Sequence, residues 1–400
     1  MRKRATFKPA VFVIAMTLSA TAAAAAAPNQ ASANAIDFKW SAKTGLGYDS
    51  NAYQAPSSAY FDLATGKQET PKVKSGFFVP YEAKVEVEKA RNQDSTLIGS
   101  ASIDGSLYLG SGLGNANESN LDLMAGVENV LKRKGKSKDM LYIGGVLERH
   151  NQTYVDHDSG LGKTTTLSGR DVSSLYNYTR IGIEAEYKNR TGAINFGLTG
   201  KLLSNDYEAQ RGMPQQDHTY FRAGGDVDIP LVAQTGLNLS YNHVIRDYAY
   251  RHAHAADATF TTKLLQYSYD TIGAELRSRL SAEWVLYADL DHTQRTDNNV
   301  GYGDYDQNRY GIRVLYSKDR IKSRLSLHQW ARDYPNGFAF DVLGGGAKKY
   351  DGIDLRLKGE LEQSKNSALW VELKHEIQNS TDLRYDFSHM LLMAGMSWAY

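Results

Sequence analysis

From Ile36 onward the chain alternates with a period of two. Ile36, Phe38, Trp40, Ala42, Leu46 and Tyr48 share one parity, and Asp37, Lys39, Ser41 and Lys43 take the other. Phe77, Val79, Tyr81, Ala83, Val85 and Val87 alternate with Glu82, Lys84, Glu86 and Glu88. Near the end, Ile353, Leu355, Leu357 and Leu361 alternate with Asp354, Arg356, Lys358 and Glu360. Leu369, Val371, Leu373 and Ile377 do the same with Glu372, Lys374 and Glu376. Side chains on successive strand residues point to opposite faces, so each segment reads as a strand with one apolar and one polar face. The apolar parity of these four strands carries no Asp, Glu, Lys or Arg. A lysine or arginine facing the middle of a bilayer costs about 2–4 kcal/mol, which gives that exclusion a physical cause. A soluble closed barrel would show the reverse, with charge outside and a packed apolar interior.

Segments of the same kind centre on 97–109, 121–131, 140–148, 179–188, 193–203, 219–231, 237–246 and 267–278. They continue at 282–292, 309–316, 321–332 and 383–400, for about sixteen strands in all. Short polar turns at 90–95, 132–138, 188–192, 278–281, 317–320 and 363–367 alternate with longer loops. Those loops lie at 49–71, 110–119, 151–173, 205–217, 247–262, 294–304 and 333–348. Even strand number, with short turns at one end and long loops at the other, predicts an all-β fold: a transmembrane antiparallel up-and-down barrel. Composition agrees, with 26 Tyr, 35 Gly and only 8 Pro. Mean hydropathy is −0.49, as expected when every second residue faces a wet lumen. No linker interrupts the pattern, so 36–400 reads as one barrel domain.

The first 35 residues read differently. Arg2, Lys3, Arg4 and Lys8 form a basic start, followed by the short apolar run 10–18 and an Ala-rich stretch. This is the pattern of a secretory signal peptide, with cleavage expected somewhere in 22–35. Ala33-Asn34-Ala35 is one option, and cleavage within 22–27 is another. Removal takes four basic and no acidic residue from totals of 46 and 45, leaving a net charge of −3. That balance offers no electrostatic case for nucleic acid. Without cysteine, disulfide scaffolds, thiolate metal sites and Cys nucleophiles are excluded.

Met390, Leu392, Ala394, Met396, Trp398 and Tyr400 share one parity, and Tyr400 is the last residue. This resembles the C-terminal strand signature of bacterial outer-membrane proteins. The resemblance implies insertion into the bacterial outer membrane by the barrel assembly machinery, with Trp398 and Tyr400 as the assembly signal. It implies lipid and lipopolysaccharide as surroundings and a periplasmic N-terminus. Gly45-Leu46-Gly47-Tyr48-Asp49-Ser50-Asn51-Ala52-Tyr53 is similar to the opening of porin-like β-barrel families, including barrels associated with exopolysaccharide export. On the residues alone, Asp49 and Asn51 also read as ordinary turn formers.

Constellations that would carry chemistry are incomplete. Asp289, Asp291 and His292 approach the paired acids and Asp–His of outer-membrane proteases, but Asp291 and His292 are adjacent and point to opposite faces. His243 beside Asn242 does not reproduce a phospholipase Ser-His-Asn set. His252 and His254 sit in a His/Ala-rich loop without a third metal ligand. Gly344-Gly345-Gly346 lacks the Lys-Ser/Thr and helix of a phosphate loop. No catalytic, metal or cofactor site is expected. The lumen is more informative, since about sixteen strands leave room for an aqueous channel. Asp289, Asp291, Arg309, Arg313, Lys322, Arg324 and Arg332 are the lumen-lining candidates, along with Glu283 and His328. Equal steps back from the connections set Asp289 opposite Arg309, Arg313 near Arg324 and Arg309 near His328, with the acidic strand beside the basic patch. The expected function is a porin-like channel for polar solutes or for export of a polymer such as exopolysaccharide. A structural or assembly barrel with a closed lumen is the alternative, and an outer-membrane hydrolase a further one.

Overall fold

A computed structural model describes residues 36–63, 66–154, 173–191, 194–208 and 216–400. The leader read in 1–35 lies outside them, as do most of loop 151–173 and much of loop 205–217. The chain opens with β1 (Ile36–Asp49), a small hairpin of β2 (Tyr60–Asp62) and β3 (Lys67–Glu69), and β4 (Gly76–Asn92). Then come β5 (Ser95–Leu109), β6 (Glu118–Lys134), β7 (Ser137–Gln152), β8 (Tyr178–Asn189) and β9 (Asn195–Tyr207). β10 (His218–Val232), β11 (Thr235–His254), β12 (Phe260–Arg279) and β13 (Trp284–Asp297) follow. The last five are β14 (Tyr305–Lys318), β15 (Ile321–Phe338), β16 (Ala347–Ser364), β17 (Ser367–Ser380) and β18 (Phe387–Ala399).

All but β2 and β3 join one closed antiparallel barrel, each strand paired with its neighbours in sequence and β1 with β18. That makes sixteen barrel strands, as the alternation predicts. Among the described residues, no helix is long and apolar enough to cross a membrane. Along β16 and β17 the charge-free parity faces outward, leaving Ile353, Leu357, Leu361, Leu369 and Val371 exposed. The opposite parity, including Arg356, Glu372 and Lys374, lines an internal cavity. Aromatic pairs stand on the outer face near both ends of the apolar band. Tyr48 and Phe77 are 5.5 Å apart at the long-loop end, and Trp284 and Tyr316 are 4.6 Å apart at the short-turn end. Such girdles mark the two water–lipid boundaries of a membrane barrel.

The seam shows how the chain ends meet. Trp40 and Tyr400 exchange both backbone hydrogen bonds at 2.9 Å, so the terminal aromatic closes the ring. Gly45 lies opposite Gly395 in the same ladder. A methyl group at either position would run into the facing backbone carbonyl, of Ala394 or Thr44. Glycine is required there because the two strands approach so closely.

The long-loop end differs from the sequence-based expectation. Loop 247–262 is mostly strand, with β11 and β12 joined by the tight connection 255–259. Likewise β15 continues to Phe338. Beyond residue 270, toward the loop, the outward parity of β12 is mixed, with Ser268 and Gln266 among Leu264 and Phe260, so the strand runs past the regular apolar alternation. On β12 the outward run Ile272, Ala274 and Leu276 ends at Asp270, which accepts from Tyr241 Oη at 2.5 Å and lies 2.9 Å from His243 Nδ1. The final segment is also shorter than 383–400. Leu383–Tyr385 is one turn of 3-10 helix whose preceding Asp382 accepts from the Arg384 N–H, and the strand begins at Phe387.

Two loops are held down by buried carboxylates. Asp49, 1% exposed, accepts from the Asn51 N–H at 2.8 Å. The Asn51 amide in turn bridges Ala55 and the Ser388 carbonyl. In loop 339–346, Phe340 and Asp341 both take left-handed backbone, with φ of 60° and 53°. This costs on the order of 1–3 kcal/mol per residue unless the surroundings enforce it. Here the buried Asp382 accepts from the Phe340 N–H at 2.9 Å, and Arg384 contacts both Asp382 and Asp341.

Candidate functional site

The lumen is built by the polar parity of sixteen strands, and its charges are not evenly spread. On β4 to β7 the inward parity carries one lysine, Lys84, paired with Glu86, and mostly acids, among them Glu82, Asp104, Glu118, Asp122 and Glu128. None of the five has a basic side chain within ion-pair distance among the described residues. Counted round the closed strand order, β12 to β15 stand half a circuit from β4 to β7. Their inward parity carries Arg277, Arg295, Arg309, Arg313, Arg324 and Arg332. Acidic and basic walls therefore face each other across the lumen. Unlike charges so placed, between low-dielectric walls, set up a transverse field that orients polar solutes.

Between these walls, on the side formed by β16, β17, β18 and β1, lies a cavity of about 620 Å³. It is lined by Lys43, Glu82, Asp104, Glu118, Arg356, Lys374 and His389, with Tyr53, Phe78 and Tyr108 supplying aromatic surface. Glu372, 1% exposed, forms part of its wall. Three cations hold it: Arg356 at 2.7 Å, Lys43 at 3.4 Å and Lys374 at 3.6 Å. Lys43 also sits 4.1 Å from the centre of the Trp370 ring. Beside it, Asp49 accepts from the Tyr108 hydroxyl and lies 2.9 Å from His389 Nε2. The Asp49 motif thus does two things: it folds the first loop back and fixes two side chains at the cavity.

None of the lumen candidates named from sequence borders this cavity. They line the basic wall. The register differs by two residues from the equal-step pairing. Asp291 is opposite Arg309, 3.7 Å apart, and Asp289 is opposite Gly311. Gly311 leaves room between Asp289 and His328, which approach to 3.8 Å. Arg313 pairs with Glu275 of β12 at 2.8 Å, and Arg324 lies opposite Leu315. Lys322 reaches Glu362 of β16 at 2.5 Å, at the short-turn end. Arg332 stacks 4.6 Å from the Tyr305 ring centre. Glu283 belongs to the turn before β13, accepting from Ser281 Oγ at 2.8 Å. The acidic strand expected beside the basic patch is thus two acids inside the basic wall, and the main acidic surface faces it from β4 to β7. A signal for the cavity was present in the dense charge on the inward parity of β16 and β17. Their convergence with Lys43, more than 300 residues earlier, comes from barrel closure.

The residues weighed for chemistry go to structural tasks. Asp291 faces the lumen, whereas His292 faces out and meets Asn308 Oδ1 at 2.9 Å. His254 Nδ1 lies 2.8 Å from the Ala258 carbonyl, and its ring stacks on Tyr302 at 4.7 Å. Gly344 and Gly346 adopt φ of 85° in the loop before β16. No group of three potential metal ligands occurs among the described residues.

No family model matches the chain, and no curated protein sequence matches it. Solved structures do. A loop-L8 deletion mutant of OmpT, an outer membrane protein of Vibrio cholerae, aligns over 92% of this chain and 100% of its own at 11% identity, with a TM-score of 0.50. The outer membrane channel DcaP of Acinetobacter baumannii aligns over 94% of this chain and 100% of its own at 10% identity, also with a TM-score of 0.50. At such identities the likeness is one of architecture: the chain has the porin-type fold of a bacterial outer-membrane β-barrel.

Proposed function

We propose that this protein is an outer-membrane channel through which polar, charged solutes diffuse. The observation that supports it best is the pair of facing walls, each with charges that have no ion partner among the described residues, inside a closed barrel with an apolar exterior. Charges that only braced a wall would be paired with neighbours, as Arg313 is with Glu275. The N-terminus is periplasmic, the short turns face the periplasm and the long loops face outside. The leader directs export, and the strand ending in Trp398 and Tyr400 engages the barrel assembly machinery. Lipid and lipopolysaccharide contact the outer parity. Export of a polymer such as exopolysaccharide rests on the short likeness around Asp49 and Asn51, and fits the same lumen.

One observation favours a closed barrel instead. The first long loop packs against two others at the long-loop end, with Tyr53 on Leu113 and Tyr60 on Ala339 and Phe340. Planar-bilayer recording of the refolded barrel separates the two. Stable single-channel steps are expected. A correctly folded barrel that never conducts would overturn the channel and leave the structural reading. Deleting Tyr400, or placing charges at Trp398 and Tyr400, is expected to block outer-membrane assembly. Normal yield would refute that role for the C-terminus.

A further inference from the structure

Arginines on the basic wall and the adjoining β11 include two kinds. Arg309 and Arg313 each face a carboxylate, at 3.7 Å and 2.8 Å. Nearer the long-loop end, Arg246, Arg295 and Arg332 face none among the described residues. Tyrosine rings hold them instead. Arg295 lies 4.3 Å from the Tyr267 ring centre, 4.4 Å from Tyr305, 5.6 Å from Tyr334 and 6.0 Å from Tyr269. Arg246 shares Tyr269 at 5.1 Å, and Arg332 shares Tyr305 at 4.6 Å. The three guanidinium groups thus form a row in which each neighbouring pair has one tyrosine in common.

Local carboxylates are spent elsewhere. Asp297, two residues from Arg295, accepts from the backbone N–H groups of Asn299, Gly301 and Gly303 at 2.8–2.9 Å. Asp304 accepts from the Asp297 N–H at 2.5 Å. These acids shape the loop between β13 and β14. What the arginines donate to is neutral: Arg295 Nε to the Gly303 carbonyl at 2.6 Å, and Arg332 Nε to Gln307 Oε1 at 2.8 Å. Arg246 Nε is buried without a partner. A ring face holds a guanidinium by its quadrupole and leaves the full charge in place. The planar fork that remains matches a carboxylate in two-point geometry.

We propose that Arg246, Arg295 and Arg332 form a station that binds a multivalent carboxylate on its way through the lumen. This rests on the channel reading and names the solute class it selects. Several carboxylates on one molecule are needed to engage the row, and both a small tricarboxylate and an acidic oligosaccharide offer that chemistry.

The test is calorimetric binding to the full, detergent-refolded barrel at low salt, with citrate, tri-galacturonate and neutral maltotriose as probes. Citrate binding alone identifies small polycarboxylates, and tri-galacturonate binding alone identifies an acidic saccharide. Maltotriose is expected not to bind. Arg246→Gln and Arg332→Gln are each expected to weaken binding roughly tenfold, as loss of a charge-assisted pair does. Arg309→Gln, at a paired arginine, is expected to change it less than about twofold. Arg295→Lys keeps the charge and is expected to retain more affinity than Arg295→Gln. Heat-modifiable gel migration confirms that each variant is folded. No binding of either anion, or equal losses at Arg309 and Arg332, overturns the station. Because calorimetry needs no current, a barrel that binds but does not conduct refutes the channel alone, and one that conducts but does not bind refutes the station alone.

Discussion

The wall of β4 to β7 and the wall of β16 to β1 use the same parity and the same residue types, yet end in opposite states. On the first, Glu82, Asp104 and Glu118 face the lumen without an ion partner among the described residues. On the second, Glu372 is gripped by Lys43, Arg356 and Lys374. The difference lies in what the neighbouring strands contribute. Where acid and base sit on adjacent strands they pair and become part of the wall. Where acids outnumber bases, as on β4 to β7 with Lys84 taken by Glu86 and Lys43 turned to Glu372, the remaining charge faces solute and the opposite wall. Lumen-facing charge is therefore of two kinds, bracing and exposed, and facing inward does not distinguish them.

The largest expected effect breaks the brace. From alternation alone, Arg at position 372 is a mild lumen-side change. In the structure it puts a fourth cation in place of the buried carboxylate on which Lys43, Arg356 and Lys374 converge. Glu372→Arg is expected to cost at least about 3–5 kcal/mol, the range for breaking a buried ion pair by removing one partner. Urea unfolding in detergent reads this out. A loss under about 1 kcal/mol would mean that the cluster is solvated and braces nothing.

The outer face comes next. Leu355→Arg and Leu373→Arg are each expected to cost about 2–4 kcal/mol in lipid vesicles, because they bring a cation to the bilayer midplane. In the lumen, Glu82→Gln is expected to be nearly neutral for folding. Equal tolerance at Leu373 and Glu82 would refute the assignment of faces.

Selectivity sharpens the comparison between walls. Reversal potentials across a KCl gradient are expected to move toward anion preference for Asp104→Asn with Glu118→Gln. They should move toward cations for Arg324→Glu, in each case by roughly two- to fivefold in permeability ratio. Arg313→Glu places a second acid beside Glu275, so a folding loss is expected to accompany its change in selectivity. Conductance with unchanged selectivity in every variant would mean that permeating ions avoid both walls.

The smallest effect concerns the mouth. Burial opposes ionisation of Asp341, but Lys348 and Arg384 outweigh it and hold the carboxyl below its ordinary range. A depressed folded-state value stabilises the loop above the unfolded carboxylate range, and that contribution is lost as pH falls through the lowered value. Hydrogen exchange in 339–346 is expected to rise on acidification beyond the intrinsic pH trend, and Asp341→Asn is expected to flatten that excess. An excess that persists in the variant would assign the opening to another group.

Much of this was legible in the sequence because the constraint is local. A side chain's face depends only on its parity along its own strand, and lipid excludes charge from one parity. Hence Leu355 and Leu373, sixteen strands and alternating loop lengths follow from residues a few positions apart. Asp49 and Asn51 stood out as turn formers, though not as the anchor that reaches the Ser388 carbonyl. Register, closure and opposition were decided only in the folded barrel. A shift of two residues preserves every face, so alternation cannot distinguish Asp289 from Asp291 as the partner of Arg309. Lys43 meets Glu372 because β1 closes on β18, a contact between chain ends that no local pattern encodes. That Arg295 is held by tyrosines of three other strands, with no carboxylate in ion-pair reach among the described residues, depends on that register and on the loop that consumes Asp297.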